Sequence, residues 1–288
     1  MTVPILTHAA DLLQRYDVVF CDVWGVMHDG RKAYALAGDA LARFRAGGGT
    51  VVLVSNAPVP ADGVETVLAN TGVRRDSWDA IVSSGDIALR HIAEKGYKAL
   101  HRVGPFERDH TLFSRVPDPD APLASADAIL CSGLADEATE TVETYRDLIE
   151  GGLAHKLPFI CANPDLVVDV GGRRLTCAGS VALEYERLGG DVFWAGKPHP
   201  SAYGTAHEVA GELRGTLPEL SRILGIGDAV RTDLASAQGL GVDALFIADG
   251  IHNDALLVDG AIDPAKLAAL MDVPGTPPAI AAMALLAW

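Results

Sequence analysis

Val18-Val19-Phe20-Cys21-Asp22-Val23-Trp24-Gly25-Val26 is the stretch that decides the fold. An unbroken apolar run arrives at a carboxylate, Asp22, and then at a glycine turn. A strand that is apolar on both faces belongs inside a parallel sheet covered by helices. The pattern repeats outward from this run. It predicts strands over residues 18–23, 50–54, 80–82, 99–103, 128–131, 159–162, 192–194, 223–226 and 244–247. Helical stretches lie between them. One over 40–45 stops at Gly47-Gly48-Gly49, which supplies a left-handed C-cap. Ser84 is placed to N-cap a helix over 85–95 that Gly96 closes. Residues 136–150 read as a long acidic helix, and 279–288 as an apolar helix packed on the core. Strands alternating with helices predict an α/β fold with right-handed crossovers. In such sheets, ligands sit beyond the carboxyl ends of the strands.

At 288 residues the chain has room for two domains or one large one. An apolar content of 49% excludes global disorder. Lys and Arg number 23 against 38 Asp and Glu, a net charge of −15. That excludes nucleic acid and an anionic membrane surface as main partners, since both call for a basic patch. A small anionic substrate remains open, because one lysine and a few backbone N–H groups can hold a phosphate. Cys21, Cys131, Cys161 and Cys177 form no C-x-x-C pair, and the first three, in or at the end of apolar runs, read as buried small hydrophobes. The opening MTVPILTHAADLL lacks a cationic leader, and no apolar run approaches the length of a membrane span. The expectation is a cytoplasmic protein. Its oligomeric state, homo-oligomer or monomer, stays open.

The strand-end rule says where chemistry belongs. Asp22 ends the first run, and Ser55-Asn56-Ala57-Pro58 follows the second. Gly196-Lys197-Pro198 follows residues 192–194 and puts a mobile cation on a fixed backbone. Gly227-Asp228 with Thr232-Asp233 follows 223–226, and two carboxylates five apart suit a hard divalent cation such as Mg²⁺. Each signal has a bland reading: a turn Asp, a capping hydroxyl, a solvated loop lysine, a helix-capping Asp. Their order along the chain is the informative feature.

The set Asp22, Ser55, Lys197 and Asp228/Asp233, each beyond an apolar strand, resembles the haloacid dehalogenase (HAD) superfamily. Its class IIA, NagD-like branch is the closer resemblance, through Gly25-Val26-Met27-His28-Asp29, Ser83-Ser84-Gly85-Asp86 and Asn163-Pro164-Asp165. The resemblance implies a Rossmann-like, doubly wound parallel-sheet core over 1–84 and 188–288, with an inserted α/β cap over 85–187. It implies Asp22 as nucleophile, with Ser55 and Lys197 assisting. Ser55, Asn56, Gly25, Lys197, Asn163 and Asp165 would contact the substrate and its phosphoryl group. Mg²⁺ would take Asp22, the backbone carbonyl of Trp24, Asp228 and Asp233.

One position departs from the pattern. Phosphatases of the superfamily read Asp-x-Asp-Gly, with the second Asp as general acid and base. Here the line is Asp22-Val23-Trp24-Gly25, and an indole does not exchange a proton usefully. General acid–base catalysis is worth about 10²–10⁴-fold, roughly 3–5 kcal/mol of barrier. His28 and Asp29 are the nearest replacements in the loop. Two functions of different class follow. One is an Mg²⁺-dependent hydrolase acting on a small phosphorylated metabolite through an aspartyl phosphate. The other is a non-catalytic phosphate- or metabolite-binding protein on the same scaffold. The intact Asp pair disfavours a third, dehalogenase chemistry.

Overall fold

A computed structural model of the protein describes residues 3–170 and 173–288. In chain order the strands are β1 (Val18–Cys21), β2 (Thr50–Ser55), β3 (Ala80–Ser83), β4 (Leu100–Val103), β5 (Ala128–Cys131), β6 (Phe159–Cys161), β7 (Val167–Val170), β8 (Arg173–Thr176), β9 (Val192–Trp194), β10 (Ile223–Gly227), β11 (Asp243–Ile247), β12 (Leu257–Val258), β13 (Ala261–Ile262) and β14 (Ala281–Met283). They divide between two compact units. The first comprises Met1–Ser55, Glu65–Val82 and Lys197–Trp288; the second comprises Asn56–Val64 and Ser83–Gly196.

The first unit carries a six-stranded sheet in the order β14-β11-β10-β1-β2-β3. β1 pairs in parallel with β2 on one side and β10 on the other, with Cys21 opposite both Leu53 and Ile226. Every residue of β1, β2 and β10 is buried, as the apolar runs require. The chain winds from β1 to β2 and β3 in one direction and to β10, β11 and β14 in the other. The carboxyl ends of β1 and β10 therefore flank the point where the winding reverses, the place where such sheets bind ligands. Tyr203, on the helix Pro200–Arg214, packs edge-on against Phe20 of β1 with ring centroids 5.2 Å apart.

The second unit carries its own parallel sheet in the order β4-β5-β6-β9, and a hairpin of β7 and β8. Its core gathers Ile129, Cys131, Phe159, Cys161, Val181 and Tyr185 between sheet and helices. Residues 192–194, expected with the 188–288 segment, pair instead with β6, Phe159 opposite Val192. Three half-buried residues do not reveal which sheet they join. The unit boundaries thus fall at 55/56, 64/65, 82/83 and 196/197 in place of 84/85 and 187/188.

Three local expectations change, and one element is new. The tail over 279–288 is not a helix. Ala281–Met283 forms β14, and backbone N–H groups of Ala248 and Asp249 donate to Met283 and Ala284 at 2.8 and 2.9 Å. Pairing the edge of β11 satisfies donors that a helix there would leave open. The helix expected over 136–150 begins only at Arg146, after a 3₁₀ turn at Val142–Tyr145. Asp136 draws Ala138 N–H and the Thr139 hydroxyl into a local turn, and Thr141 and Thr144 cap each other reciprocally. Ser83, not Ser84, N-caps the helix Ser84–Lys95, its hydroxyl accepting from Asp86 N–H. The β7–β8 hairpin went unforeseen.

Candidate functional site

The site in the first unit begins with where β1 and β10 end. Asp22 follows β1, its N–H donating to Ile226 O at 2.8 Å, so its backbone continues the ladder to β10. Asp228 follows β10 directly. Asp233 lies in a single π-helical turn, Val230–Leu234, and its Oδ2 accepts from Ala229 N–H at 3.0 Å. Such turns re-aim one side chain at the cost of a regular hydrogen bond. Lys197 opens the return of the chain into this unit and is 3% exposed. Its Nζ lies 2.5 Å from Asp22 Oδ1 and 2.7 Å from Asp233 Oδ1. One carboxylate oxygen from each of Asp22, Asp228 and Asp233 lies within 4.8 Å of the others. Residues separated by more than 200 positions thus share one cluster.

The electrostatics of this cluster are unbalanced. Three carboxylates face one ammonium. Burial first, then the Asp22 and Asp233 charges, push the Asp228 carboxyl well above the usual carboxylate range. Burial and the Asp22 charge push Asp233 up to about 6 despite Lys197. Burial alone would lower Lys197, but the two carboxylates outweigh it and hold its ammonium well above the usual value. A surplus of buried negative charge with oxygen donors converging within a few ångströms suits a hard divalent cation. The residues present fit one.

The loop after β1 shapes this site. Gly25 has φ +82°, and a Cβ there would stand 2.2 Å from Asp228 Oδ2, so only glycine allows this approach. Its N–H, expected on a phosphoryl oxygen, donates instead to His28 O at 2.9 Å and closes the turn. Trp24 is 41% exposed, its indole edge-to-face with the His28 ring at 5.3 Å between centroids. Burial lowers the pKa of His28. The N–H groups of Lys32 and Arg31 donate to Asp29, each at 2.8 Å, and hold its carboxyl below the usual range. Ser55 is buried at the end of β2, beside the end of β1.

Asn56, Asn163 and Asp165 gather in the second unit. Asn56 Nδ2 donates to Asp165 Oδ1 at 2.9 Å, and Asp165 N–H donates to Asn163 Oδ1 at 3.2 Å in an Asx turn. Asn56, expected beside Ser55 on a phosphate, is therefore engaged with the Asn163-Pro164-Asp165 turn. The sequence reading missed two participants. Ile251 N–H donates to Asp228 Oδ2 at 2.7 Å, a contact that requires the loop after β11 to fold back. The Tyr203 phenol is buried near Asp233, Lys197 and Asp22, and burial and the Asp233 charge raise its pKa. Its only trace was an aromatic in the first turn of the helix after Lys197.

Comparisons with known proteins agree on the family. A family model for haloacid dehalogenase-like hydrolases matches residues 19–112, and a second HAD-hydrolase-like model matches 194–271. The chain is 39% identical to a haloacid dehalogenase-like hydrolase of Brucella suis 1330. The match covers 97% of this chain and 98% of that one, with a TM-score of 0.82. It is 31% identical over 117 residues to the dihydroxyacetone phosphatase of Corynebacterium glutamicum (strain R), covering 40% of this chain and 39% of that protein. The matched stretch thus spans about two-fifths of the length of that curated relative. A glycerol phosphate phosphatase of Mycobacterium tuberculosis, solved with calcium, has the same fold at 24% identity and a TM-score of 0.62, covering 83% of this chain and 68% of that one. NagD-like proteins also have this fold. Among the described residues, no helix is long and apolar enough to cross a membrane.

Proposed function

This chain belongs to the haloacid dehalogenase-like hydrolases, and we propose that it is an Mg²⁺-dependent phosphatase of a small phosphorylated metabolite, working through an aspartyl phosphate on Asp22. The observation that carries this reading is the Asp22–Lys197–Asp233 chain of contacts, with Asp228 completing the carboxylate cluster. A relative named dihydroxyacetone phosphatase supports a small phosphate ester as substrate.

Asp22 Oδ attacks phosphorus in line, the ester oxygen departs, and water later cleaves the acyl phosphate to restore the carboxylate. The Lys197 ammonium pairs with the Asp22 carboxylate at 2.5 Å and then faces the charge on the transferred phosphoryl oxygens. Ser55, at the adjacent strand end, is assigned as a further donor to those oxygens. Asp233 positions Lys197 through its 2.7 Å contact. Asp22, Asp228, Asp233 and the Trp24 carbonyl are the residues that would hold Mg²⁺. When bound, the ion supplies positive charge against the carboxylates and the phosphoryl group. Asn163 and Asp165 are assigned to recognising the remainder of the substrate.

Trp24 is the observation behind the second reading, a non-catalytic phosphate binder. A binder needs no nucleophile, however, and Asp22 at the end of β1 is placed as one. The test is trapping with a fluoroberyllate phosphate mimic and turnover of a metabolite panel, for wild type and Asp22→Asn. Tight mimic binding and turnover, both lost in the variant, are expected. Turnover undiminished by Asp22→Asn overturns the assignment.

A further inference from the structure

The structure leaves the leaving group without a proton donor in the loop that should supply one. Trp24 stands two residues beyond Asp22, the position at which the resemblance to HAD phosphatases implies an acid. Its indole is seated, not loose. It packs edge-on against His28, and Gly30, at φ +84°, makes room for it, since a Cβ there would lie 2.4 Å from Trp24 Cη2. The two nearby replacements are both committed. Gly30 N–H donates to His28 Nδ1 at 2.9 Å, which requires a lone pair on that nitrogen. That nitrogen is therefore spent on closing the loop. Asp29 accepts two backbone N–H groups as a carboxylate, and an ionised carboxylate has no proton to give.

We propose that this site takes phosphoryl donors whose leaving group departs as a stable anion without a proton: aryl, enol or acyl phosphates, in preference to alkyl phosphates. This rests on the reading of Asp22 as nucleophile. In the first step the Asp22 Oδ–P bond forms and the bond from phosphorus to the leaving oxygen breaks, its electron pair departing on that oxygen. An alkoxide leaves badly under those terms, whereas a phenolate, enolate or carboxylate does not. In the second step a water oxygen bonds to phosphorus, the Asp22 O–P bond breaks, and the water's proton passes to solvent. Trp24 offers no base at the position it holds, so this second step is the slower one and the phosphorylated enzyme accumulates.

The experiment measures kcat/KM with Mg²⁺ for a series of substituted phenyl phosphates, acetyl phosphate and glycerol phosphate, in wild type, Trp24→Asp and Trp24→Phe. Rates in the wild type should fall steeply as the leaving group becomes more basic, with p-nitrophenyl phosphate ahead of glycerol phosphate by about 10²-fold or more. Rapid mixing should show a burst of p-nitrophenol close to one per enzyme. Trp24→Asp should flatten the series and remove the burst, and Trp24→Phe should keep both. A wild type that handles glycerol phosphate within tenfold of p-nitrophenyl phosphate overturns the proposal, whether or not Trp24→Asp folds. If Asp249→Asn then makes that flat series steep, the acid is the Asp249 carboxyl, whose pKa burial raises. Turnover retained by Asp22→Asn, or no turnover of any donor and no phosphate on Asp22, overturns the reading of the site itself.

Discussion

Each unit buries an acidic cluster near its strand ends, and the two clusters differ in one respect: balance. In the second unit Asp109 is fully buried, yet Arg108 meets it with two contacts of 2.8 Å and the Ser132 hydroxyl donates at 2.7 Å. Arg108 also reaches Glu137 at 2.5 Å and remains partly exposed. Every oxygen of Asp109 has a donor, and its charge has a partner. In the first unit Asp22, Asp228 and Asp233 share one lysine. Burial of a carboxylate therefore does not mark a functional site. A deficit of compensating charge does, because the fold retains it only where something else completes it.

The sharpest way to break this contrast is at Asp22. Asp22→Asn is nearly isosteric and should lower turnover by at least about 10⁴-fold, with circular dichroism and melting unchanged. An effect near tenfold would place the nucleophile elsewhere. The next test is the metal. Calorimetry should show Mg²⁺ binding to the wild type and an affinity weaker by about 10²-fold or more in Asp228→Ala. At a hundredfold excess over Kd, Mg²⁺ should stabilise the wild type by about 2.7 kcal/mol. Equal binding by both proteins removes Asp228 from the site.

One substitution applied to both clusters should act in opposite directions. Asp109→Asn leaves Arg108 paired with Glu137 alone and weakens the charge-assisted contacts at a fully buried position, which should cost about 2 kcal/mol in denaturant unfolding. Asp228→Asn without divalent cations removes a repelling charge and should leave stability unchanged or raise it by about 1 kcal/mol. Destabilisation of both by the same amount would refute the distinction between a completed and an incomplete cluster. The smallest effect is expected at Asn56→Ala. It removes the hydrogen bond to Asp165 and should cost about 1 kcal/mol of stability, with KM rising more than kcat falls if the Asn163-Pro164-Asp165 turn contacts substrate.

The loop after β1 separates two kinds of information within a few residues. Asp22 was legible because an apolar run ending in a carboxylate is a statement about local burial. The same logic located Lys197 and Asp228. It did not place Asn56, one residue beyond Ser55, because the boundary between the units runs between them. Nor did it reveal that Gly25 spends its N–H on His28, or that Gly30 N–H occupies His28 Nδ1, since both depend on how the loop closes.

By itself the sequence determined the β1, β2 and β10 strands, the identity of the strand-end residues and the absence of an acid at Trp24. These follow from continuous apolar runs and from side-chain chemistry, which act at short range. Only the tertiary structure decided that Asp22, Lys197, Asp228 and Asp233 converge, that residues 192–194 join the second sheet, and that the tail becomes β14. The physical reason is the same in each case. A backbone edge or a buried charge is satisfied by whichever partner the fold brings to it, and that partner can lie anywhere in the chain.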